Sequence, residues 1–255
     1  MKLFLFDIDG TLFDNSNRKV HLSTVKALKK LKKNYKLGIA TGRAEFMLYS
    51  IHNLIDLIDY FVLINGQIVK TKSFTIYSNP IAVNEIAPLI KDFENMKLAY
   101  GFEGEKDEAI SRIDNNVIQS FQVLDLKLPP INKNYYKERE VFQMWVFCSS
   151  DDLIKLTENH PSFQFIQWLK HGYDVLPTTA AKGIGVKKLI DYLGLSFKDV
   201  VAFGDGDNDY EMIVKAGLGI AMGNATEKVK DVADYITDDV NSNGIFKALK
   251  QYNFI

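Results

Sequence analysis

The run Leu3-Phe4-Leu5-Phe6-Asp7-Ile8-Asp9-Gly10-Thr11 sets four apolar residues directly before two aspartates spaced i, i+2. A continuous apolar segment of this length reads as a parallel strand buried on both faces. Side chains two apart on an extended segment point the same way. Asp7 and Asp9 therefore share one crevice at the carboxyl end of the strand, where open α/β sheets bind ligands, and Gly10 permits a tight turn after them. Taken alone, Asp-x-Asp-Gly fits a pair of solvated aspartates before a turn equally well. The arrangement recurs, however. Leu37-Gly38-Ile39-Ala40 runs into Thr41-Gly42-Arg43, and the apolar segment 199–203 runs into Gly204-Asp205-Gly206-Asp207-Asn208-Asp209. Repetition of strand, polar end and helix predicts a doubly wound sheet with its polar groups gathered at one edge.

Between these points the first segment reads as a helix capped by Ser23, carrying Val25, Leu28 and Leu31 on one face and closed by a left-handed Asn34. A helix over 44–54 follows Thr41, then a third strand at 60–64 and an Asn65-Gly66 turn into a hairpin of 67–69 with 74–77. After Asn79-Pro80 the pattern changes. Residues 81–176 show helices at 83–93 and 151–158 among alternating segments at 97–102, 108–113, 141–147, 163–169 and 173–176. This predicts an inserted α+β domain, an antiparallel sheet with helices on one side, in which 128–140, with Pro129-Pro130, is an exposed loop. From Pro177 the first rhythm returns, with helices at 182–193, 226–233 and 244–251 and strands at 199–203 and 218–222. The expected division is a parallel-sheet, Rossmann-like core from 1–80 and 177–255, interrupted by the insert at 81–176.

Composition excludes several alternatives. A net charge of -1 over 255 residues offers no basic field for nucleic acid. No stretch approaches the length of an apolar membrane span, and the first apolar run is broken by Asp7 before it could serve as a signal core. Cys148 is the only cysteine, which excludes an internal disulfide and fits a reducing, cytoplasmic setting.

Two carboxylates as close as Asp7 and Asp9 resist joint ionisation, so a cation or a shared proton is the expected remedy. One can then act as nucleophile and the other as acid and base. The acidic loop adds Asp205 as the best further ligand for Mg²⁺, which favours a few carboxylates, water and substrate phosphate. Thr41 and the amides of the helix after it suit an anion. A lysine at a helix start, Lys182, opposes the helix dipole unless an anion lies nearby. Arg43 suits either a substrate contact or a structural salt bridge.

Taken together, Asp7-x-Asp9-Gly10-Thr11, Thr41-Gly42-Arg43, Lys182-Gly183 and Gly204-Asp205-x-x-Asn208-Asp209 resemble, in order and placement, the four motifs of the haloacid dehalogenase superfamily, nearest to Cof-type phosphatases with a class IIB cap. The resemblance implies a Mg²⁺-dependent phosphatase of small phosphorylated metabolites, sugar phosphates first. It implies Asp7 as nucleophile, Asp9 as acid and base, and Mg²⁺ held by Asp7, the Asp9 carbonyl and Asp205, with Asp209 as a water-mediated ligand or a support. Thr41 and Gly42 would bind the phosphoryl oxygens, Lys182 would neutralise their charge and orient Asp7, Asn208 would help fix phosphate or lysine, and Arg43 would contact substrate. A phosphomannomutase-like phosphotransferase would need a second basic cluster in the insert, where Lys127, Lys133, Lys137 and Arg139 mostly lie in the irregular stretch. A receiver-like signalling module would need neither the insert nor Asp9. In the insert, Gln143, Trp145, Trp168 and His171 are candidates for selecting substrate that sequence does not separate from packed core.

Overall fold

In the computed structural model, which describes residues 2–123 and 126–255, the first apolar run is β1 (Leu3–Phe6), all four of its side chains shut off from solvent. It is followed by β2 (Lys36–Ala40), β3 (Tyr60–Leu63), β4 (Ile68–Thr71) and β5 (Thr75–Ser78). The insert supplies β6 (Ala99–Glu103), β7 (Glu108–Ile110), β8 (Gln143–Phe147), β9 (Phe163–Gln167) and β10 (Gly172–Pro177). The last segment adds β11 (Val200–Gly204), β12 (Leu218–Ala221) and β13 (Tyr235–Ile236). Two units result, Met1–Ser78 with Ala181–Ile255 and Asn79–Ala180.

The first unit holds an eight-stranded sheet in the order β13-β12-β11-β1-β2-β3-β4-β5, parallel except where β4 and β5 join antiparallel. Strand order reverses at β1, which pairs with β2 on one side and β11 on the other, with Phe6 in register with Ile39 and Phe203. That reversal opens a crevice at the strand ends. Asp7, Thr41 and Asp205, each just past its strand, emerge there as neighbours. Val186, Leu189 and Ile190 of the helix Lys182–Tyr192 pack with Leu3, Leu5, Ala40, Val62 and Ala202 beneath them.

The second unit is a five-stranded antiparallel sheet, β7-β6-β8-β10-β9. Tyr100, Phe102, Met144, Val146 and Val175 form one of its faces and pack against Ile86, Leu89 and Phe93 of the helix Val83–Asn95 and Leu156 of the helix Ser150–Asn159. Helices are not confined to that side. The helix Asn115–Val123 sets Phe121 against Trp145 and Phe147, which alternation places on the opposite face.

Several local expectations are corrected. Ser23 does not cap the first helix, which runs Leu22–Leu31 from His21 without a side-chain cap; the His21 ring is instead paired with Asp14, Nε2 to Oδ2 2.7 Å. Asn34 is not left-handed, because the helix closes by tighter bonds, Lys33 N–H to Lys30 O and Asn34 N–H to Leu31 O. The helix expected over 44–54 is instead the 3₁₀ helix Glu45–Ile51. Arg43 Nη1 donates to Met47 O at 3.0 Å and so claims a carbonyl that an α-helix would use for the amide four residues on. The helix expected over 226–233 is the single turn Glu227–Lys230. The loop 128–140 is anchored rather than exposed throughout: Tyr135 is buried, stacks on Phe102 at 5.8 Å, and donates its hydroxyl to Asp107.

Asp14 is a buried staple for the loop after β1. Its carboxylate accepts from the amides of Ser16 and Asn17, the Asn17 side chain and His21. Although burial pushes its pKa up, these bonds win and lower it to about 2. A lowered pKa contributes stability that is present above the unfolded carboxylate range and is lost as pH falls through the folded value. Asp14→Asn is therefore expected to lower Tm at pH 7, with the gap to the parent narrowing between pH of about 4 and about 2. Thermal melts followed by circular dichroism at pH 7 and pH 3 check this.

Candidate active site

Three buried groups define the centre of the crevice. Lys182 Nζ donates to Asp7 Oδ1 at 2.6 Å and to Asp209 Oδ1 at 2.7 Å, with the lysine side chain 1% exposed. Burial alone would lower the lysine pKa; the two carboxylates overturn that and raise it, so the ammonium is held protonated. Asp7 is driven well above the usual carboxylate range by burial, against the pull of Lys182 and with Asp209, Asp205 and Asp9 adding repulsion. Asp205 is raised to about 7, by burial first and then by Asp209. The site is short of positive charge.

The fold fixes these groups through the backbone. Gly10, at φ +81°, passes so close to Asp205 that a β-carbon there would lie 2.1 Å from Oδ2, so only glycine permits the carboxylate its position. At the end of β3 three successive residues, Ile64, Asn65 and Gly66, take positive φ values of 48°, 50° and 91°. For β-branched Ile64 this is strained. The turn is held because Ile64 N–H donates to Arg43 O and Asn65 N–H to Thr41 O, which clamps the end of β2. Gly66 and Gly185 then meet backbone to backbone, a β-carbon on Gly185 falling 2.6 Å from Gly66 Cα, and this seats the helix that begins with Lys182.

The remaining expected residues fall into two groups. Thr41 is buried, and its hydroxyl accepts from Arg43 N–H at 3.1 Å. Gly42 lies against the Asn65 side chain, whose Oδ1 accepts from Asn208 Nδ2 at 3.1 Å, so Thr41, Gly42 and Asn208 are drawn together through Asn65. Arg43 and Asp9 form a second pair, Nε to Oδ2 and Nη2 to Oδ1 both at 2.7 Å, with Arg43 braced by Met47 O and Ser50 Oγ. Asp9 is thus turned to arginine and does not join Asp7 at the lysine.

Among the described residues, only Asp7, Asp205 and Asp209 bring three potential ligand atoms within 4.8 Å of one another. An all-oxygen set with excess negative charge suits a hard divalent cation. The three are not equivalent. Asp209 Oδ1 is taken by Lys182, and Oδ2 accepts from the amides of Asp205 and Gly206, both at 3.0 Å. Sequence reasoning assigned no role to Thr11 or Asn224, which orient Asp205: Thr11 Oγ1 donates to its Oδ1 at 2.8 Å, and Asn224 Nδ2 reaches its Oδ2 at 3.3 Å. Asn65 was legible only as a turn residue. No spacing rule marks such groups, because their partners lie far along the chain.

A doubly wound core interrupted by an α+β insert, with carboxylates and a lysine at its central strand ends, defines a class of split α/β enzymes with an acidic strand-end centre. The family model described as haloacid dehalogenase-like hydrolase matches residues 4–249, and the chain belongs to that family. It is 34% identical over 256 residues to the protein named "Putative phosphatase YkrA" of Bacillus subtilis (strain 168), covering 100% of this chain and 98% of that protein. Its fold is similar to that of a hypothetical protein from Geobacillus kaustophilus HTA426, at TM-score 0.94 and 36% identity over 100% and 99% of the two chains. It is also similar to the subclass IIB sugar phosphatase BT4131, at TM-score 0.88 and 29% identity over 100% of both. The protein is an enzyme, a phosphatase of the haloacid dehalogenase type. Among the described residues no helix is long and apolar enough to cross a membrane.

Proposed function

We propose that the enzyme hydrolyses small phosphate monoesters, sugar phosphates among them, in a Mg²⁺-dependent reaction through a phosphorylated Asp7. The observation that carries the reading is the buried Asp7, held by Lys182 beside Asp205 at the end of β1. Asp7 and Asp205, with the Asp9 carbonyl, would hold the metal, while Asp209 fixes Lys182 and the acidic loop. The cation would neutralise the crowded carboxylates and polarise the phosphoryl group.

An oxygen of Asp7 attacks phosphorus, and the bond from phosphorus to the ester oxygen breaks. Asp9 gives its proton to that oxygen, which leaves as an alcohol. Asp9 then takes a proton from water as the water oxygen attacks the phosphorus on Asp7, releasing phosphate and restoring both carboxyls. Lys182 and the Thr41 hydroxyl stabilise the phosphoryl oxygens. Arg43 engages both oxygens of Asp9 and so holds its carboxyl in place beside the reacting centre. The basic residues of the insert do not favour a mutase: Lys133 pairs with Glu94 and Arg139 with Asp107. Cys148 is buried, its thiol pushed up to about 12 by burial, which suits a cytoplasmic protein.

Phosphate release from p-nitrophenyl phosphate is expected with Mg²⁺ and not with excess chelator. Borohydride reduction of substrate-quenched enzyme should convert position 7 to homoserine, detectable by peptide mass. Absence of both overturns the reading. Arg43→Ala is expected to lower kcat by roughly tenfold to a hundredfold, through a mispositioned Asp9, and to leave the Mg²⁺ midpoint unchanged. A shifted Mg²⁺ midpoint would place Arg43 with the metal groups instead.

A further inference from the structure

The face of the inserted sheet opposite Phe102, Met144 and Val146 carries a second acidic constellation. Strand alternation brings Glu103, Gln143, Trp145 and Asp174 to that side, with Glu108 directly across from Glu103 and Asp174 across from Trp145. Glu103 is its floor, 2% exposed. Its Oε2 accepts from Gln143 Nε2 and from Trp145 Nε1, both at 3.2 Å. Its Oε1 is buried with no hydrogen-bond partner. Such an orphaned oxygen in a protein interior asks for a ligand. Glu108 and Asp174 are half-buried at the sides.

The chemistry of the missing group follows from charge. Burial raises Glu108 and Asp174 each to about 7, and Glu103 further, by burial and then by the other two carboxyls. Among the described residues, none of the three forms an ion pair with a lysine, arginine or histidine. A metal ion is the wrong occupant, because their oxygens do not converge as those of Asp7, Asp205 and Asp209 do. A neutral hydroxyl would satisfy one oxygen and leave the crowding of acids untouched. An ammonium group, with three donors and one positive charge, answers both.

We infer that this recess binds a primary ammonium group carried on a polar small molecule, with Glu103 Oε1 as its acceptor, Glu108 and Asp174 as flanking charge, and Trp145 as an aromatic wall. Binding itself does not depend on the proposed phosphatase reaction.

The chain has two tryptophans, and Trp168→Phe leaves Trp145 as the only reporter; the Trp168 indole N–H has no partner, so phenylalanine forfeits no hydrogen bond. In this background, titration with glucosamine hydrochloride is expected to give a saturable fluorescence change that glucose and potassium chloride at matched ionic strength do not. Glu103→Gln should abolish it, and Asp174→Asn, at a half-exposed position, should weaken it by about fivefold. Should Glu103→Gln fail to fold by circular dichroism, Asp174→Asn carries the comparison. No saturable change, an equal response to glucose, or an unchanged midpoint in the folded variants overturns the site. Glucosamine binding without any hydrolysis of p-nitrophenyl phosphate would defeat the phosphatase reading and leave the site standing.

Discussion

Asp7→Asn is expected to fold, to melt no lower than the parent at pH 7, and to lose turnover by roughly 10⁴-fold or more, as loss of a nucleophile does. The two halves of this result have one origin. The position is buried, and its carboxyl is pushed well above the usual range, so the charged form is costly there. An amide of the same shape relieves that cost, while the surviving pair of Lys182 with Asp209 keeps the lysine satisfied. Yet the amide cannot attack phosphorus. Steady-state assay on p-nitrophenyl phosphate, with mass spectrometry to confirm that position 7 has not deamidated, decides the matter. Residual turnover within tenfold of the parent would remove Asp7 from the nucleophile's role.

The second large effect is at Lys182. Lys182→Met should depress kcat by roughly a hundredfold or more, the usual scale for removing a preorganised charge from a reacting centre. It should also destabilise the fold, by ~3–5 kcal/mol, because two buried carboxylates lose their shared partner. A second substitution separates these consequences. Adding Asp209→Asn removes one orphaned carboxylate and should restore much of the lost Tm without restoring turnover. If turnover returned with Tm, Lys182 would be a structural brace only.

How much could be read in the chain depended on whether information was local. The strand that ends in Asp7 was legible because an apolar run and an i, i+2 pair are features of neighbouring residues. The expectation that Asp7, Thr41, Asp205 and Lys182 belong together came from resemblance and from recurring strand ends. What could not be read was the pairing within the crevice. That Arg43 takes both oxygens of Asp9 depends on two strand ends meeting across 34 positions of sequence. The 3₁₀ form of Glu45–Ile51 depends on the same guanidinium reaching Met47 O. Glu103 gave no signal at all, since a glutamate ending a strand looks like a solvated edge until its neighbours cover it.

The position of β1 between β2 and β11 also bears on how the protein is made. On a ribosome the strand that ends in Asp7 is complete early, but its partner β11 follows the whole of Asn79–Ala180. All residues of that insert's main core lie within its own bounds, so it can close before the core that surrounds it in sequence does. Meanwhile one edge of β1 stays unpaired, and Lys182, Asp205 and Asp209 have not yet been added. A nascent or truncated chain ending in the insert therefore leaves one edge of β1 open to pairing, and it holds Asp7 and Asp9 without Lys182, Asp205 and Asp209.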